Sequence, residues 1–85
     1  MRQLVFHTQG WEDFTYWVQN DRATTKRLLR LIGEVLRNPF EGIGKPEPLK
    51  YSMPGAWSRR ITDEHRLVYL VAEKEIVILQ ARYHY

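Results

Sequence analysis

Glu47, Lys50, Arg66, His84 and Tyr85 are the residues whose types could together break an RNA phosphodiester. Cleavage by the RNA's own 2′-hydroxyl has three requirements. A base removes the hydroxyl proton, cations stabilise the extra charge on a five-coordinate phosphorus, and an acid protonates the departing 5′-oxygen. Glu47 is the candidate base, Arg66 with Lys50 the electrostatic clamp, and His84 the acid. Tyr85 is placed to orient the phosphate or to stack on a base. Glu47 lies between Pro46 and Pro48, so its backbone is restricted on both sides. A carboxylate on so stiff a mount loses less entropy when it engages a substrate; read alone, it is an exposed acid. His7, His65 and His84 lack metal-ligand spacing, and no metal or other cofactor is expected. Neither a Gly-x-Ser-x-Gly elbow nor a phosphate-binding glycine loop followed by Lys-Ser or Lys-Thr occurs.

For these groups to act together, the fold must bring residues 47, 66 and 84 to one place. Ile76-Val77-Ile78-Leu79 is short, β-branched and free of Gly and Pro, and reads as a buried strand. It runs on into Ala81-Arg82-Tyr83-His84-Tyr85, which sets an imidazole and two phenols at a strand tip; the same pattern also fits an edge strand ending in surface aromatics. A turn centred near Lys74 or Glu75 sets Arg66 opposite Tyr83 or His84. A preceding turn centred on Glu64 sets Arg60 opposite Val68. Alternation puts Arg66, Val68 and Leu70 on one face, and Gln80, Arg82 and His84 on one face of the next strand. An arginine beside a histidine repels it unless an anion is shared, so the pairing points to an anion site.

The remaining elements follow in order. Gln3-Leu4-Val5-Phe6 is a short strand. Thr8 is the expected N-cap of a first helix, with Trp11, Phe14, Trp17 and Val18 as its core stripe and Glu12 and Asp13 in its first turn. Asp21 caps a second helix running to about Arg37, with Leu28, Leu31, Ile32, Val35 and Leu36 inward. Lys26, Arg27, Arg30 and Arg37 fall largely outside that stripe; they fit a solvated basic face or, alternatively, an RNA or ribosome contact. Residues 39–48 hold three of the four prolines and form a braced surface loop. Leu49-Lys50-Tyr51 reads as a short strand. Trp57, Arg59 and Ile61 share one face of the next, and Ser58, Arg60 and Thr62 share the other. The expected architecture is α+β, with two N-terminal helices packed on one face of a mostly antiparallel sheet, in the order β-α-α-β-β-β-β.

Eighty-five residues are expected to form one domain, residues 1–85. The absence of cysteine removes disulfides, thiolate catalysis and Cys-based zinc sites, and suits a reducing cytoplasm. No apolar run approaches the ~20 residues of a membrane span, and no membrane partner is expected. Net charge is +3, unevenly placed: residues 22–38 carry five bases against Glu34, whereas residues 1–21 carry one against three acids. This asymmetry weakly favours a polyanionic partner.

Several ordered segments with fixed separations carry a resemblance. They are Asn38-Pro39-Phe40-Glu41-Gly42; Gly44-Lys45-Pro46-Glu47-Pro48-Leu49-Lys50; Trp57-Ser58-Arg59-Arg60-Ile61-Thr62; Glu64-His65-Arg66-Leu67-Val68-Tyr69; and Ala81-Arg82-Tyr83-His84-Tyr85. Over nearly its full length the chain resembles the YoeB-type toxins of the RelE superfamily, from bacterial toxin–antitoxin modules. The resemblance implies a RelE-like microbial-ribonuclease fold and a metal-independent endoribonuclease that cuts mRNA in the ribosomal A site. It assigns Glu47 as general base, Arg66 to the phosphate, His84 as general acid and Tyr85 to orientation. Lys45, Lys50 and Arg60 become further RNA or phosphate contacts. Implied partners are a cognate YefM/Phd-type antitoxin, the 70S ribosome with its mRNA, operator DNA only through the antitoxin complex, and a second copy of the chain as a candidate homodimer. The departures lie in Tyr51-Ser52-Met53-Pro54-Gly55 and in the helices, which bear on partner fit rather than on proton chemistry. The rival reading is a non-catalytic RNA- or ribosome-binding module that grips phosphate.

Overall fold

Apolar residues three and four apart make the helices, and alternating β-branched runs make the strands. The computed structural model describes residues 1–83. Its elements are β1 (Gln3–Phe6), α1 (Thr8–Asn20), α2 (Arg22–Arg37), β2 (Glu47–Pro48), β3 (Ala56–Arg60), β4 (Arg66–Val71) and β5 (Glu75–Gln80). The five strands form one sheet in the order β1-β5-β4-β3-β2; β1 runs parallel to β5, and the other neighbours are antiparallel.

α2 matches the expectation. The Asp21 side chain accepts the Thr24 N–H at 3.0 Å, and Leu28, Leu31, Ile32 and Val35 are buried. The hydrogen bond from the Thr24 backbone holds the Asp21 carboxyl below its ordinary range. Pro39 follows the helix end at Asn38, as the bias of a pre-proline residue requires.

α1 departs from its expected form. The capping position is His7, which makes no side-chain cap, and Thr8 is already helical. Glu12 and Asp13 consequently lie beyond the first turn. The buried positions are Gly10, Asp13 and Trp17, with Phe14 half-buried, while Trp11 and Val18 are each 52% exposed. Gly10 explains the rotation: a Cβ there would overlap the carbonyl oxygen of Ile78, so α1 lies backbone-to-backbone on β5. The inward stripe is centred on the smallest residue of the helix, and the count of large apolar residues misplaces it.

Both hairpins are shorter than the expected registers. Arg60 pairs with Arg66, not Val68, because the β3–β4 turn centres on Asp63. Val71 pairs with Ile76 and Leu70 with Val77, which places the β4–β5 turn between Glu73 and Lys74. Further along, consecutive Val68 and Tyr69 face Gln80 and Ile78, leaving Leu79 as the extra residue of a bulge. The bulge restores what the turn took away: the Arg66 N–H reaches the Tyr83 carbonyl at 3.1 Å, at the open end of the hairpin.

The strand expected over Leu49–Tyr51 lies two residues earlier, at Glu47–Pro48. Leu49 adds one further bond to Ala56, and the chain then turns, the Met53 N–H bonding the Leu49 carbonyl. Pro48 is tolerated because β2 is an edge strand.

The main core joins Trp17, Leu28, Leu31, Ile32 and Val35 of the helices to Ile61, Leu67, Tyr69, Ile76 and Ile78 of the sheet side. Leu49, Ala56 and Val68, with Leu70 and Leu79 against them, form a smaller cluster on the opposite face, which no helix covers.

Candidate active site

The bare sheet face is where the chemistry-bearing residues collect. Glu47 pairs with Ser58 and Ser58 with Val68, so these three form a row across β2, β3 and β4 on the side away from the helices. One pleat further along, Arg60 and Arg66 face each other across β3 and β4. Sheet spacing puts the Glu47 and Arg66 backbones about 12 Å apart, two strands over and one pleat along. Like charges directly opposite on neighbouring strands destabilise a sheet. Here Arg66 turns its guanidinium onto the carbonyls of Thr62 (2.7 Å), Asp63 (3.1 Å) and His65 (3.1 Å). Among the described residues one ion pair forms, Arg37 with Glu34 at 3.2 Å. Lys45, Lys50, Arg60 and Arg66 therefore have no carboxylate within the same reach there, and neither does Glu47 have a cation.

Lys45 and Glu47 depend on how the 38–46 loop is fastened. Arg59, on the opposite side of β3 from Arg60, is fully buried and donates to the carbonyls of Asn38 (2.6 Å), Glu41 (2.9 Å) and Ile43 (3.2 Å). Its Nε also donates to the Tyr69 hydroxyl at 3.1 Å, which in turn donates to the Pro39 carbonyl at 2.6 Å. Burial raises the Tyr69 pKa above its ordinary value, opposed by the hydrogen bond and charge of Arg59, so the phenol stays a donor. The loop then enters β2 through Gly44 (φ +83°) and Lys45 (φ +51°), and the Arg60 N–H bonds the Gly44 carbonyl at 2.7 Å. A Cβ on Gly44 would sit 2.8 Å from the Leu31 side chain, so the close approach needs glycine. Lys45, which has a Cβ, occupies the left-handed region too, a strain the flanking contacts must hold. Lys45 is thereby fixed next to the backbone of Arg60, whereas Lys50 stands in the exposed turn after β2.

Tyr83 is the last described residue. His84 and Tyr85, the expected acid and orienting phenol, lie outside the described residues. Up to Tyr83 the strand alternation fails. Arg82 stacks over the Tyr16 ring of α1 at 3.6 Å, because the ladder ends at Gln80 and the chain bends toward the helix. His65, which the sequence singles out only as a poor metal ligand, accepts the Tyr83 N–H on Nδ1 at 2.7 Å. Arg59 is likewise a support rather than a residue of the chemistry. Its one signal was its inward position between Trp57 and Ile61, where a cation must find buried acceptors. Among the described residues no three His, Cys, Asp or Glu side chains gather as a metal site.

Residues 6–85 match the family of YoeB-like toxins of bacterial type II toxin–antitoxin systems. The toxin RelK of Mycobacterium tuberculosis is 56% identical over 85 residues, covering 100% of both chains. A YoeB dimer from Staphylococcus aureus superposes with a TM-score of 0.90 at 45% identity, covering 99% of this chain and 98% of that one. A YoeB–YefM complex from the same organism gives 0.88 at 43%, covering 100% and 99%.

Proposed function

We propose that this chain, which belongs to the YoeB-like toxins of bacterial type II toxin–antitoxin systems, is a ribosome-dependent endoribonuclease that cuts mRNA in the A site. The observation that carries the reading is the bare sheet face: Glu47 stands one pleat from two facing arginines, none of them with an ion-pair partner among the described residues. An RNA phosphodiester supplies the charge those arginines lack. Glu47 takes the 2′-hydroxyl proton, the 2′-oxygen attacks phosphorus in line, and Arg66 with Arg60 stabilises the added negative charge. Lys45 and Lys50 hold the flanking backbone. As the bond from phosphorus to the 5′-oxygen breaks, His84 gives that oxygen its proton and Tyr85 orients the phosphate. The products are a 2′,3′-cyclic phosphate (or its opened 3′-phosphate) and a 5′-hydroxyl. No step uses a metal. For Arg66 to reach the phosphate, its guanidinium exchanges the turn carbonyls of residues 62–65 for the phosphate oxygens, trading neutral acceptors for a charged one.

A YefM/Phd-type antitoxin is the proposed inhibitor, as in the S. aureus YoeB–YefM complex, with operator DNA reached only through that assembly; a homodimer is proposed by the same analogy. The proposed place of action is the cytoplasm. No helix among the described residues is long and apolar enough to cross a membrane.

One observation favours a second reading, a module that binds RNA or the ribosome without cutting: Arg66 is already engaged by three carbonyls. Mapping 5′ ends on an mRNA held by ribosomes separates the two. New ends in the A-site codon, absent with His84→Ala, are the expected result. Protection without new ends would establish the binding module instead.

A further inference from the structure

The β4–β5 ladder stops at Gln80, yet each of the next three residues is anchored. The Ala81 N–H donates to the Asp13 carboxylate at 2.9 Å, and the Ala81 carbonyl accepts from Trp17 Nε1 at 2.8 Å. The Arg82 guanidinium lies over Tyr16 at 3.6 Å, and its Nη2 donates to the Tyr83 hydroxyl at 3.0 Å. The Tyr83 N–H donates to His65 Nδ1 at 2.7 Å, and its carbonyl accepts from the Arg66 N–H at 3.1 Å. Tyr83 is also held at φ +58°, a region that a residue with a side chain leaves unless its surroundings fix it.

Two of these partners are costly as mere structure. Asp13 is a buried carboxylate in a helix–sheet interface, where an apolar residue would pack more cheaply. His65 must keep Nδ1 unprotonated with its ring proton on Nε2, and its ring is wedged edge-on against Trp17, centroids 4.8 Å apart. Both act on the backbone just ahead of His84, not on the sheet.

We propose that Asp13, Trp17 and His65 are positioning residues of the ribonuclease. They form a backbone clamp on Ala81 and Tyr83 that sets the direction in which the chain delivers the general acid His84. This rests on the function proposed above. The acid must meet one departing oxygen, and a displacement of about 1 Å in such a group costs on the order of 10²-fold in rate. His65 is the most informative member, because its acceptor can be removed without removing its bulk.

The test compares His65→Phe, which keeps a ring against Trp17 but has no acceptor, with His65→Asn, whose Oδ1 stands near the place of Nδ1. Single-turnover cleavage of ribosome-bound mRNA should fall on the order of 10²-fold in the Phe variant. The ribosome concentration giving half-maximal rate and the melting temperature should stay as in the unaltered chain, and the Asn variant should recover most of the rate. Asp13→Leu should lower the rate likewise, with a lower melting temperature because the buried Ala81 N–H loses its acceptor, and Asp13→Asn should act like the rescue. Wild-type cleavage by His65→Phe, with His84→Ala inactive, would overturn the clamp, as would equal losses in the Phe and Asn variants. Should the unaltered chain fail to cut RNA at all, the function proposed above falls, and amide exchange then judges the clamp alone. Exchange at Tyr83 accelerated in the Phe variant but not in the Asn variant supports it; unchanged exchange in both overturns it.

Discussion

Arg59 and Arg60 are covalent neighbours that serve opposite faces of one sheet. Arg59 points into the main core, is fully buried, and spends its guanidinium on the carbonyls of Asn38, Glu41 and Ile43 and the hydroxyl of Tyr69. Arg60 points to the bare face, is exposed, and stands opposite another arginine. The inward cation is satisfied and makes structure; the outward one lacks a counter-charge among the described residues and waits for one. The difference teaches that, on β3, the cation facing the core is tied into the structure, while its neighbour on the side that no helix covers keeps no ion-pair partner among the described residues. Stability and proposed chemistry can therefore be broken separately.

The largest expected effect is on the open side. Arg66→Ala or His84→Ala should lower single-turnover cleavage by at least about 10²–10³-fold, with an unchanged far-ultraviolet circular dichroism spectrum. Near-normal cutting by both would remove these two roles. On the covered side, Arg59→Met should leave three loop carbonyls without their donor and destabilise by about 3–5 kcal/mol in chemical denaturation. Arg60→Ala sharpens the contrast: its stability should change by no more than about 0.5 kcal/mol while cleavage declines. A comparable loss of stability in both arginine variants would erase the distinction drawn between the two faces.

A smaller effect is expected where α1 meets β5. Gly10→Ala must push the helix off the Ile78 carbonyl, at a cost of about 1–3 kcal/mol, read as a lower melting temperature. The smallest belongs to the α2 cap. Because the Asp21 carboxyl is held below its ordinary range, its contribution is present above that range and fades as pH falls through the lowered folded value. Asp21→Ala should lower the melting point slightly at neutral pH and not in strong acid, a difference a pH series of melts would read.

Much of the architecture was legible, because it follows from spacing. The apolar rows of α2, the runs from Arg66 to Val71 and from Ile76 to Leu79, and the cap at Asp21 each obey one local rule. The inward stripe of α1 was not legible, since it turns on the absence of a side chain at Gly10. Nor was the pairing of Arg60 with Arg66, which a turn centre one residue earlier decides. The meeting of Arg66 with Tyr83 was expected for an incomplete reason: the turn lies closer to β4, and the bulge at Leu79 makes up the difference. Glu47, Arg60 and Arg66 could be named from residue type and family resemblance, but their common face required the register. His65 and Asp13 carried no signal, because their partners are backbone groups that any sequence possesses.

The placement of β5 between β1 and β4 has a consequence for biosynthesis. Every other strand and both helices are translated first, yet β1 has no neighbour in the sheet until residues 75–80 emerge. Such distant pairing is slow to form and leaves edges open meanwhile. An unfinished polypeptide thus holds neither the seat for α1 nor the strand that leads to Tyr83.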